Sequence, residues 1–183
     1  MEENNDEYQL IVVPFVLGPV QTNAYLIGDT TSGQAVVIDP AWDGEVIIKE
    51  AESQGLRISA IWLTHGHFDH FGGTAGVTAG LSHPVPVALH PADLPLWSAH
   101  GGAAVFGFGS FDPGPEPSIT LEHGMQLSLG SHKFEVRSTP GHTQGHEGAD
   151  LLATAEDGQY LGIENTHGGQ SEEYEIHYAH RSL

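Results

Sequence analysis

The stretch Ile58-Ser59-Ala60-Ile61-Trp62-Leu63-Thr64-His65-Gly66-His67-Phe68-Asp69-His70 decides how the rest of the chain is read. It opens as a short apolar run, Ile58 to Leu63, with the composition of a buried strand. It closes on four metal-ligating side chains in six residues: His65, His67, Asp69 and His70. In an extended segment, residues two apart point the same way. His65 and His67 can therefore reach one ion together. Asp69 and His70 fall past the strand end, where the chain turns, and can approach a second ion. Imidazole and carboxylate are suitable ligands for zinc, iron or manganese. Without a metal, so dense a set would need a separate partner for each ionisable group. A solvated His-rich loop is the competing reading, and Gly66, Gly72 and Gly73 are compatible with it.

Upstream, Tyr8 to Val16, Asn23 to Ile27 and Gln34 to Ile38 read as three short strands. Gly18-Pro19, Gly28-Asp29 and Asp39-Pro40 break or close them, which suggests an antiparallel start. Then the period changes. Asp43 is placed to cap a helix, Gly55 to end it, and Val46, Ile47, Ile48 and Ala51 to give it an apolar face. Downstream, Gly72 to Leu81 is a helix of small residues and Val85 to Leu89 a strand. Residues 99 to 118 form a Gly- and Pro-rich loop carrying Phe106, Phe108 and Phe111. Such a loop either lines a substrate mouth or is pinned by burying its own aromatics. Met125 to Leu129 and Lys133 to Ser138 read as a hairpin around Gly130-Ser131. Leu151 to Thr154 and Gln159 to Ile163 read as a further pair around Asp157-Gly158. The polar, acidic tail from Gly168 has no assignable element. With no interdomain linker, residues 1–183 are expected to form a single domain.

Composition narrows the function. Five Lys and Arg face 24 Asp and Glu, a formal charge of -19. Such a surface repels phosphate backbones and anionic membranes, so neither nucleic acid nor membrane is an expected partner. The bland account is a solubility device or adaptation to salt. There is no cysteine, which excludes disulfides, thiolate zinc sites and Cys nucleophiles. Met1 to Glu7 is acidic where a secretory signal would be basic and then apolar, and no run is long enough to span a membrane. Cytoplasmic residence is the resulting expectation. No Gly-x-Ser-x-Gly marks a serine nucleophile.

A second element, Pro140-Gly141-His142-Thr143, again follows a strand. Alone it is weak; beside the first cluster, His142 becomes a third ligand for the first metal, leaving the open arrangement of a catalytic site. At these residues the chain resembles the metallo-β-lactamase superfamily, and within it the glyoxalase II-like (hydroxyacylglutathione hydrolase-like) hydrolases. The first cluster matches the His-x-His-x-Asp-His signature. Thr22-Asn23-Ala24-Tyr25-Leu26, Val37-Ile38-Asp39-Pro40 and Pro140-Gly141-His142-Thr143 match in order and spacing, over residues from about 10 to 146. The resemblance implies an α/β fold: an αβ/βα sandwich of two β-sheets flanked by helices, with the C-terminal part shortened here. It implies that His65, His67 and His142 bind a first metal and Asp69 and His70 a second. It places Asp39 near the ligands rather than on the metal.

The pattern then changes. The family's bridging Asp, about twenty residues past the third His, has no counterpart in Tyr160-Leu161-Gly162-Ile163-Glu164-Asn165-Thr166. Asn165 matches best by position and Glu164 by charge. The family's last His follows a later turn; His167, His177 and His180 are the only later histidines here. The first site thus reads as complete and the second as altered, with zinc (one or two ions), iron or manganese as the cofactor. The function the resemblance implies is a hydrolase in which metal-bound hydroxide attacks a thioester or related carbonyl, with Asp69 orienting the nucleophile or passing its proton. The alternatives are a mononuclear iron enzyme acting on persulfides and a non-catalytic metal-binding member of the fold. The expected partner is a small-molecule substrate. Oligomeric state is left open.

Overall fold

A computed structural model describes residues 10–138, 142–145 and 152–154, the last three by backbone alone. The three opening strands form as expected: β1 (Leu10–Leu17), β2 (Thr22–Asp29) and β3 (Gln34–Ile38). They pair antiparallel in sequence order. Helix α1 (Gly44–Ser53) follows, then strand β4 (Arg57–Trp62), which pairs parallel with β3. Two short helices come next, α2 (Phe68–Phe71) and α3 (Thr74–Gly80). Strand β5 (Val87–Leu89), a 3-10 turn (Pro91–Asp93) and helix α4 (Leu94–Ser98) complete this half. After a stretch of 3-10 turns (His100–Phe106), strand β6 (Ile119–Thr120) closes a six-stranded mixed sheet in the order β1-β2-β3-β4-β5-β6. Strands β7 (Gln126–Leu129), β8 (His132–Glu135) and β9 (Leu152–Thr154) form a second, antiparallel sheet.

Strand alternation sorts the core into two layers. On the first sheet Ala24, Leu26, Val37, Ile61 and Leu63 face α1 and α3, meeting Ile47, Ile48, Ala51 and Val77. Their neighbours Tyr25, Ile27, Val36, Ile38 and Trp62 face the second sheet, meeting Leu127, Leu129 and Phe134. One irregularity sets the phase. Ala35 opposes Ile58 while Val36 opposes Ala60, so Ser59 is an extra residue in β4, its hydroxyl donating to the Ala35 carbonyl at 2.9 Å. A bulge of this kind exchanges the two faces of everything that follows it on the strand. The orientation of the segment entering His65 depends on it.

The helix ends differ in how they follow expectation. Gly55 (φ +70) ends α1 as read: its N–H reaches the Glu52 carbonyl and the next N–H, of Leu56, reaches Ala51. This double bond is the glycine-dependent Schellman closure. Asp43 stands at the N-cap, but its side chain does not cap; it accepts the Gly18 N–H at 3.3 Å and ties the β1–β2 turn to the helix. Val46, expected on the apolar face, is exposed. The helix read over residues 72–81 covers Thr74–Gly80; Gly73 stands at its N-cap, its N–H held by the Ala41 carbonyl at 2.6 Å, and a side chain there would strike the Pro40 carbonyl. The strand expected over Gln159 to Ile163 lies outside the described residues. No helix among those described is long and apolar enough to cross a membrane.

Candidate metal centre

The site lies at the carboxyl edge of the parallel strands, where open α/β sheets place their ligands. Beyond β3 stands Asp39, fully buried and in the left-handed region (φ +47) that non-glycine residues seldom adopt. Its N–H reaches the Trp62 carbonyl at 3.1 Å, and the Ala41 N–H reaches His70 at 3.0 Å, so backbone bonds to the neighbouring segment fix the turn.

The Asp39 carboxylate organises the histidines. One oxygen accepts the Thr64 N–H at 2.8 Å; the other accepts the Thr64 hydroxyl at 2.6 Å and lies 2.9 Å from His70 Nδ1. Because the Thr64 hydroxyl gives its proton to Asp39, it is left to accept from His65 Nδ1, 2.9 Å away. The network therefore assigns the Nδ1–H tautomer to His65 and a donated Nδ1–H to His70. In both rings this directs Nε2 to the other side, the arrangement that carboxylate and hydroxyl partners impose on metal-binding imidazoles.

Asp69 and His70 sit past the strand end, on the short helix α2. One Asp69 carboxylate oxygen accepts the Thr22 hydroxyl at 2.8 Å and lies 3.5 Å from His70 Nε2. Burial alone would lower the His70 pKa, but the Asp39 charge and hydrogen bond, with Asp69 behind them, raise it above the usual histidine value.

His142 arrives from the chain beyond β8. One ligand atom from each of His65, His67 and His142 lies within 4.8 Å of the others. Their rings stand 4.6–4.9 Å apart, all nearly perpendicular. His67 Nδ1 and His142 Nε2 are 2.9 Å apart. Nitrogens bound to one tetrahedral zinc at about 2.0–2.1 Å would be separated by about 3.3 Å. Donor atoms all within 4.8 Å of one another are close enough for one ion to reach all three, and three neutral imidazoles fit a divalent ion. His65 is buried, His67 partly so and His142 exposed, so the cluster opens on the His142 side. Glu164, Asn165, His167, His177 and His180 lie outside the described residues.

The aromatic loop is pinned at one end by its own rings. Phe108 and Phe111 pack on Trp42, and Phe111 also on Phe71, which pins the loop. Phe106 rests against Phe68, next to His67, and remains 68% exposed with Val105 beside it.

Residues 17–147 match the family described as the metallo-beta-lactamase superfamily. This chain belongs to it. The metallo-beta-lactamase fold is a metal-binding one, and solved structures agree on the architecture. The chain is 41% identical to TTHA1623 in a di-iron-bound form, with a TM-score of 0.62 over 73% of this chain and 64% of that one. To BLEG-1, a B3 metallo-beta-lactamase, it is 29% identical, with a TM-score of 0.66 over 83% and 67%. It is 38% identical over 122 residues to a hydroxyacylglutathione hydrolase of Maricaulis maris, covering 67% of this chain and 40% of that enzyme. The chain thus spans less than half the length of that relative.

Sequence reading missed three residues of the site's framework. Thr22 and Thr64 were visible only as parts of longer matches, and the hydroxyls that hold Asp69 and His65 have no spacing signature. Asp93, one buried carboxylate in a Pro-Ala-Asp turn, gave no signal at all.

Proposed function

We propose that the chain is a metal-dependent hydrolase in which His65, His67 and His142 hold the metal, acting on a thioester or related carbonyl. The observation that carries this reading is the meeting of three imidazoles from segments 75 residues apart at one open edge. A bound divalent ion supplies Lewis acidity there, lowering the pKa of a water to about 7 and polarising a carbonyl oxygen. Asp69, held by Thr22 and 3.5 Å from His70 Nε2, would orient that water and accept its proton. His70 and Asp69 together are the protein's contribution to a second ion. Phe106, exposed and resting on the buried Phe68, offers an apolar surface to the acyl group.

Zinc and iron both suit three histidines, and the di-iron relative keeps iron in view. The thioester is supported by the name of the Maricaulis maris relative. The described basic residues point to a neutral thioester. Lys49 lies on α1, Arg57 at the far end of β4, and Lys133 and Arg137 on or just past β8, where Arg137 pairs with Glu135 at 3.0 Å.

The test is turnover of a simple neutral thioester and a lactone by the zinc- or iron-loaded chain. Asp69→Ala is expected to keep the first metal and lose about 100-fold or more in kcat. A metal-loaded chain that turns over neither substrate would instead be a binding module on this fold.

A further inference from the structure

We infer that Asp93 is the positioning residue that sets His142 against His65 and His67. This rests on reading those three as metal ligands. Asp93 ends the 3-10 turn after β5 and is 1% exposed. It accepts three side-chain-directed hydrogen bonds, and all come from the two histidine loops. One carboxylate oxygen accepts the N–H of Gly66, the residue between His65 and His67, at 2.9 Å. The same oxygen accepts the hydroxyl of Thr143, the residue after His142, at 2.7 Å. The other accepts the Gly145 N–H at 2.8 Å.

A single oxygen therefore joins the loop of the first two ligands to the loop of the third. Charge-assisted bonds of this kind are short and directional. The loops also press against Asp93 closely enough to require glycine. A side-chain carbon on Gly66 would lie 2.9 Å from the Asp93 carbonyl, and one on Gly145 would lie 2.9 Å from its carboxylate and 2.8 Å from His90 Nδ1. His90 holds the turn from within by accepting the Ala92 N–H at 3.2 Å. The Asp93 carboxylate spends its acceptors across the gap between ligand loops.

The test is zinc affinity, measured by competition with a chromophoric chelator, for the full chain and for Asp93→Asn, His142→Ala and the double variant. Asparagine replaces one accepting oxygen with a donor and cannot serve all three groups. Asp93→Asn is expected to weaken zinc about 10–100-fold, as loss of groups that orient ligands does. In the His142→Ala background it is expected to cost clearly less than in the wild-type background, because the part of its effect that passes through His142 is already lost. The cobalt-loaded Asp93→Asn chain is expected to lose ligand-field intensity as His142→Ala does. Wild-type affinity in Asp93→Asn, or an equal loss in both backgrounds, would overturn the inference. Should Asp93→Asn not fold, Thr143→Ala replaces it: zinc weakens in the wild-type background and not in His142→Ala, and unchanged affinity overturns the inference. A wild-type chain that binds no zinc, iron or cobalt fails the metal reading itself, whereas wild-type binding with an unaffected Asp93→Asn fails only this inference.

Discussion

Asp39 carries the fine structure of the site. One buried carboxylate holds the Thr64 N–H, the Thr64 hydroxyl and His70 Nδ1, and through the hydroxyl it fixes His65. Each donor left without an acceptor in a buried site costs about 1–3 kcal/mol. Asp39→Ala is therefore expected to destabilise the metal-free chain by about 3 kcal/mol or more, read from urea unfolding. Loss of under about 1 kcal/mol would mean the network relaxes onto other partners. The candidate ligands stood out in the sequence because histidine and aspartate at spacings of two, two and one are rare outside metal sites. The Asp39–Thr64–His65 relay was not, because it depends on a positive φ at Asp39 that no residue type announces.

At the scale of elements, the two sheets are joined by a turn as well as by their cores. Asp29, at the end of β2, accepts the Thr31 and Ser32 N–H groups and the Ser32 hydroxyl. Gly130, in the β7–β8 turn (φ +56), sits so close that any side chain there would collide with the Asp29 carboxylate. Burial alone would raise the Asp29 pKa, but the hydrogen bonds from Ser32 and Thr31 and the His132 charge bring it below the ordinary carboxylate value of 3.8. A lowered native pKa stabilises the fold above the unfolded value, and that stabilisation is lost as pH falls through the native one. Asp29→Asn is expected to be less stable than wild type near neutral pH, with the gap closing below about pH 4. A gap that stays constant across that range would show that Asp29 acts without its charge.

Elements with a strong period were legible: β3 runs over the residues read for it, and α1 ends at the predicted glycine. The short ones were not. Helices α2 and α4 and strand β6 have two to five residues, too few for any period to register. The Ser59 bulge left no trace in composition, yet it decides which way β4 delivers its histidines.

For the whole molecule, the three proposed ligands come from both halves. His65 and His67 follow β4 of the first sheet, and His142 follows β8 of the second. A metal held by all three would link the sheets across their open edge, and binding that favours the folded state adds to stability. A divalent ion would offset part of the overall charge of -19 locally.

The most direct measurement is metal content per chain by elemental analysis of protein purified without chelator, beside a His67→Ala control. The account predicts at least one ion per wild-type chain and well below one in His67→Ala, with a second ion meaning that Asp69 and His70 are engaged as well. A folded wild-type chain that takes up no zinc, iron or manganese would contradict it.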